Sequence, residues 1–240
     1  MASTLRSASI ALSLVAASGA AAQGCLPAPG ADLTACRFAG ARLENADFRD
    51  ARLDGVDFSG ANLKWANLRG ASLKGANFAG ADLFHAKFDR ADLAGADLTG
   101  TYLFGANLIE TKAVGANFSG ANMKDILMEG ADLSGANLAG VYMFRAVVSG
   151  GKLVGAKLAG AQMVGADAEG TDFTGADLKA AKLSGATLHG ARFDDADLAG
   201  ADLAHAAGAD WAKAKTPPTT EADRDERGFN RMLRDVTPAR

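Results

Sequence analysis

Residues 61–80 read ANLKWANLRGASLKGANFAG, with Leu63, Leu68, Leu73 and Phe78 returning at every fifth position. An α-helix brings its apolar side chain back about every 3.6 residues and a strand about every 2. A period of five fits neither. Within each five, however, two apolar residues stand two apart, as in Ala61 and Leu63 or Ala66 and Leu68. Such a pair shares one face of an extended segment, with the residue between them facing water. The next inward pair begins three residues later. Alternation therefore breaks once per unit, and the break is a corner.

The register holds without a slip from Ala31 to His205. With each unit numbered i−2 to i+2, the centres run Leu33, Phe38, Leu43 and onward to Leu203. Of 35 centres, 32 are Leu, Phe or Met, the exceptions being Ala113, Val148 and Ala168. Position i−2 is Ala in 27 units, and i−1 is most often Asp or Asn. Position i+2 is Gly in 23 units, which supplies the backbone freedom that a tight corner needs. All five prolines lie outside this span, where a missing amide donor would not break a ladder. Each pentapeptide is read as one side of a polygonal coil. One coil cannot bury its inner face alone, but stacked coils can.

The pattern A(D/N)LxG over residues 31–205 closely resembles the pentapeptide repeat family. The resemblance implies an all-β fold, a right-handed quadrilateral β-helix with four units per coil. Thirty-five units then make almost nine coils, a rod of roughly 42 Å. It also carries one functional precedent, since some members are acidic rods that mimic DNA and bind topoisomerases.

Both ends depart from the repeat. Met1 to Ser7 carries one charge, Arg6, and the stretch that follows is apolar and small as far as Ala20-Ala21-Ala22. Residues 1–22 are read as a secretory signal cut after Ala22, too short to span a bilayer comfortably. The expected address is periplasmic or secreted, with no transmembrane segment once the signal is removed. Residues 23–30 form an N-terminal cap segment. In an oxidising compartment Cys25 and Cys36 are most simply a disulfide, contributing roughly 2–3 kcal/mol. The alternatives are two free thiols, or a lipid on Cys25, although AQGC lacks the aliphatic residue a lipoprotein signal requires. Residues 206–219 hold a last displaced unit centred on Trp211 and a Pro-containing linker. Residues 220–240 read as an amphipathic α-helix and tail, with Phe229, Met232, Leu233 and Val236 on one face. Trp211 and this helix are expected to cover the last coil, the alternative being that the helix binds a partner.

Chemistry has little to work with. Inward positions carry no carboxylate, His or Lys, and His85, His189 and His205 belong to different coils. There is no nucleophile elbow, phosphate loop or paired-cysteine zinc motif, so no enzyme, cofactor or metal is expected. The Asp and Asn at i−1 are read as solvated corner or ladder residues rather than calcium ligands. The net charge of −3, which becomes −4 without Arg6, is too mild to capture nucleic acid or an anionic membrane.

The outer faces differ when residues one coil apart are stacked. One carries Asp32, Arg52, Ser72, Asp92, Lys112, Asp132, Lys152, Asp172 and Arg192, a self-neutralising ladder. Another has small residues, among them Ala39, Ser59, Ala79 and Thr99, flat enough to suggest ice or surface binding but without a regular Thr array. A third gathers Phe84, Tyr102, Phe104, Tyr142, Phe144 and Val164, with Lys124 among them. Ile109, Leu127 and Val147 lie around its corner, and Trp65 and His85 on it. This face is the candidate site for a protein partner or for self-association. The competing reading is that its rings only brace neighbouring coils. The DNA-mimic alternative is opposed by the export signal and by 22 acidic against 17 basic residues in the repeat span.

Overall fold

The computed structural model describes residues 25–216. The expected leader over 1–22 and the expected helix over 220–240, with Phe229, Met232, Leu233 and Val236, lie outside the described residues. Among the described residues there is no α-helix, and none is long and apolar enough to cross a membrane.

Parallel bridges run from Asp32↔Arg52 to Thr187↔Ala207, each joining a residue to the one four units further on. Four pentapeptides per repeat give four sides per coil. The first face is centred on Leu33, Leu53 and Leu73, the second on Phe38, Phe58 and Phe78, the third on Leu43, Leu63 and Leu83, and the fourth on Phe48, Leu68 and Phe88. Coils are counted from Ala31, so Ala71 opens the third and Gly151 opens the seventh. The sides are shorter than ordinary strands. Each contributes one bridging residue at i−1, followed by a turn, because the inward–outward–inward alternation lasts only three residues.

The backbone accounting explains the consensus. In the unit centred on Leu98, the Ala96 amide donates to Leu93 O across the corner. The Asp97 amide donates to Ala76 O in the coil before, and those of Leu98 and Gly100 to Asn117 O and Ser119 O in the coil after. The fifth amide, Thr99, has no backbone partner and donates to Asp97 Oδ1 at 3.0 Å. The same bond recurs from Phe84 to Asp82, Ile109 to Asn107 and Ala139 to Asn137. The Asp and Asn at i−1 are therefore Asx-turn acceptors that satisfy the one amide the coil leaves over.

The interior is shut. Ala at i−2 and the large residue at i are buried along the rod, and Thr101, Thr111 and Thr171 are the only buried polar residues among those described. Their hydroxyls donate to Leu98 O, Phe88 O and Val148 O. Phe58 lies parallel to Phe38 and Phe78, with centroids 5.2 and 4.9 Å apart. Each such ring contributes roughly 1.5–3 kcal/mol by leaving water.

At the front, Cys25 and Cys36 form a disulfide with Cα atoms 5.7 Å apart, and Cys36 points inward as expected. At the back, the bridge spacing shortens by two at Arg192↔Asp210 and by one at Asp197↔Thr216. This shortening sets Trp211 against Phe193, centroids 5.8 Å apart, as the start of a partial tenth coil. The expected charge ladder on the first face closes only at its ends, at Arg52–Asp32 (2.7 Å) and Arg192–Asp172 (3.3 Å). Asp92 pairs instead with Lys74, on the other column of that face.

The Ser59 backbone amide and then its hydroxyl hold the Asp57 carboxyl below the usual carboxylate range. A depressed folded value means that the bond stabilises the fold above the unfolded carboxylate's titration and is lost as pH falls through the folded one. Asp57→Ala should therefore cost about 1 kcal/mol at pH 7. Asp57→Asn should keep the turn and, in melts from pH 7 to pH 3, lose less stability in acid than the parent. Reduction of Cys25–Cys36 should fray one end only. Hydrogen exchange should quicken at Gly30, Leu33 and Cys36 while coils three to seven stay protected.

Candidate functional site: the aromatic third face

The third face presents two outward columns. At i−1 stand Asp82, Tyr102, Asn122, Tyr142 and Gln162, joined coil to coil by bridges. At i+1 stand Phe84, Phe104, Lys124, Phe144 and Val164, all half-buried. Tyr102 is 39% exposed. Phe84 and Phe104, in successive coils, are parallel within 9° at 5.6 Å. Their ring faces therefore look along the rod and their edges look outward. Tyr102 and Phe104 lie 6.3 Å apart within 12° of parallel, and Tyr142 and Phe144 repeat that pairing two coils on at 6.3 Å and 7°.

Between the two pairs sits Lys124. Its Nζ is 5.7 Å from the centroid of Phe104 and 5.7 Å from that of Phe144, a cation held between two π faces. In the same coil the Lys124 amide donates to Asn122 Oδ1 at 3.2 Å. Val164 continues the Phe144 column one coil further. Ile109, Leu127 and Val147 extend the apolar surface on to the fourth face, with Leu127 36% exposed. The structure thus brings together Phe84, Tyr102, Phe104, Tyr142, Phe144 and Val164 along one side, as coil-by-coil stacking predicted.

The adjoining edge carries a feature that composition hides. Among the described residues eleven non-glycine residues have positive φ, and six of them, Asn45, Trp65, His85, Asp125, Arg145 and His205, lie on the corner between the third and fourth faces. Asn and Asp tolerate the left-handed region, but Trp65, His85, Arg145 and His205 carry their side chains there at a cost of about 1–2 kcal/mol each. Trp65, 48% exposed, stacks on His85 at 4.5 Å and 9°. Phe84 meets both edge-on, at 5.2 and 4.3 Å. His85 in turn lies over Gly105, with Nδ1 3.0 Å from Gly105 O. A Cβ at Gly105 would stand 2.5 Å from the imidazole, so glycine there makes room for the histidine. Further along the corner Arg145 Nε donates to Asp125 Oδ1 at 3.1 Å.

Trp211 and the cysteines belong to the ends of the rod and take no part in this face. Sequence reasoning placed Lys124 among the rings but gave it no role. The signal was available: a lone lysine between two Phe positions in one column. Among the described residues no group of His, Cys, Asp or Glu is arranged to hold a metal ion.

The family profile described as "Pentapeptide repeats" matches in eight copies between residues 30 and 206. The chain belongs to the pentapeptide repeat family. Among solved structures, a trypsin-treated form of QnrB1, a plasmid-mediated fluoroquinolone resistance protein, is 28% identical with a TM-score of 0.60. That match covers 78% of this chain and 92% of QnrB1, and it extends the right-handed β-helix to this chain. HetL, a pentapeptide repeat protein involved in heterocyst differentiation regulation in the cyanobacterium Nostoc, is 33% identical over 74% of this chain and 87% of its own, with a TM-score of 0.36. No curated protein matches at a significant level.

A pentapeptide repeat prefers glycine at the corner, so Trp65→Gly should relax the backbone while removing a stacking contact of about 0.5–1.5 kcal/mol. The two effects oppose each other. The melting temperature should move by only a few degrees, far less than for a buried Phe58→Ala, which removes about 3–5 kcal/mol.

Proposed function

We propose that this protein is an exported, non-catalytic β-solenoid scaffold that binds a protein partner, or a second copy of itself, through the aromatic third face. The observation that carries this reading is the coincidence of exposed rings with strained corners. Both tyrosines, three phenylalanines and Trp65 stand on one side of the rod, while the other sides expose only scattered aliphatic residues such as Val114 and Val154. On the same edge, large side chains replace the glycine that the corner favours. Ring-to-ring bracing explains the parallel stacking. It does not account for leaving Trp65 and Tyr102 among the most exposed large hydrophobic residues. Export is supported by the N-terminal sequence pattern and by the use of both cysteines in one bridge. A packed interior with no ionisable side chain among the described residues supports the non-catalytic reading.

The DNA-mimicking reading that the family resemblance implies needs a strongly negative rod. Here basic residues are interleaved with acidic ones, in pairs such as Lys64–Asp82, Arg69–Asp89 and Arg90–Glu110. The likeness to a fluoroquinolone resistance protein keeps that reading second, and an exported protein would not meet a cytoplasmic topoisomerase.

The double variant Phe104→Ser/Phe144→Ser tests the choice. Loss of self-association in sedimentation, or of partner capture from the exported fraction, with a melting temperature close to the parent's is expected. Lost stability with association intact would make the rings structural braces only.

A further inference from the structure

Lys124 differs from the paired cations of the rod in what surrounds it. Lys64, one coil before the aromatic column, reaches Asp82 at 3.0 Å. Lys74 reaches Asp92, and Lys179 reaches both Asp177 and Asp197. Lys112 and Lys152 close no ion pair among the described residues, but each stands between aspartates in its column. Lys124 has ring faces on both sides and no carboxylate partner among the described residues. The carboxylate next to it in the chain, Asp125, is taken by Arg145.

The rings around it favour an anion from outside. An aromatic quadrupole is negative on the face and positive at the edge. Phe104 and Phe144 turn faces to the ammonium, and the parallel stack directs ring edges outward. An incoming anion therefore meets one unpaired ammonium bordered by positive ring edges. The single ammonium, with the neighbouring Arg145 held to Asp125, fits a carboxylate better than a phosphate or sulfate, which favours a fork of donors. The hydrocarbon on both sides fits apolar neighbours of that carboxylate. The aromatic stretch runs through five coils, about 24 Å, on a side about 10 Å wide. That area is well below the ~800 Å² per partner of a stable rod-on-rod dimer. It suits a narrow, extended segment.

Resting on the protein-binding reading above, we propose that Lys124, between Phe104 and Phe144, is the anchor subsite for an Asp or Glu side chain of an extended protein segment. The residues flanking that acid are apolar and lie on Tyr102–Phe104 and Tyr142–Phe144. Asn122 stands in the same coil, its Oδ1 occupied by the Lys124 amide and its Nδ2 available to a backbone carbonyl of the segment.

The test pans a displayed library of random heptapeptides on the full chain and on Lys124→Met, which keeps the length and apolar stem of the side chain. The expected result is enrichment of peptides with one acid between apolar residues. An enriched peptide, synthesised, should bind about tenfold tighter than its Glu→Gln or Asp→Asn counterpart. That ratio should collapse towards one on Lys124→Met and persist on Lys124→Arg, with unchanged melting of both variants as the control for folding. Enrichment of apolar peptides without an acid, or an unchanged ratio on Lys124→Met, would overturn the anchor while leaving the face a protein-binding surface. Binding of dextran sulfate with no peptide enriched would reassign the cation to a polyanion and overturn the proposal. Failure of every probe would overturn both the anchor and the protein-binding face.

Discussion

The rod depends on a corner made every fifth residue by a backbone of positive φ. Regular left-handed turns at Gly40, Gly60, Gly80 and their successors fold three extended residues into one straight side and send the next side off at an angle. Four such corners bring the chain back above itself, with amides opposite carbonyls of the neighbouring coils. Glycine serves because it has no Cβ to clash in that region. Without the corner there is no closed coil. The Ala and Leu positions would then have no common interior to share.

The second constraint is the amide accounting of so small a unit. Four of the five donate to backbone carbonyls, and where i−1 is Asp or Asn its side chain satisfies the i+1 amide. This gives the polar residue at i−1 a structural task. It also explains why a rod lined with so many aspartates does not present a strongly acidic surface. Their first oxygen is occupied at home, and many second oxygens meet Lys or Arg from an adjacent coil, as at Asp82 with Lys64 and Asp197 with Lys179.

Much of this was legible before any coordinates, because the register of five is unbroken and side-chain direction follows from it. Stacking by coils placed Phe84, Phe104, Lys124 and Phe144 in one column. The cysteine pair was also legible, from its position at the front of the rod. What escaped was relational. That Lys124 lies equally far from two ring faces depends on side-chain torsions the repeat leaves free. The turn from solvated corner to Asx acceptor needed the backbone count. The expected ladder on the first face failed through most of its length because long side chains can lean across columns. Lys74 reaches Asp92 diagonally, and Asp92 is thereby drawn away from the column it was expected to share with Lys112.

By itself, the sequence determined the period, the inward and outward faces, the corner positions and the residues shared by each column. These are local consequences of which side chain a pleated backbone turns inward and where glycine permits a corner. Tertiary structure alone decided the number of sides, through bridges between successive coils, and the shortening that seats Trp211 on Phe193. It also decided that six side chains take up the left-handed corner along one edge and that one lysine is enclosed by rings rather than paired with an acid. Those features arise between coils, where contacts from one turn of the rod to the next select among conformations that each pentapeptide alone leaves open.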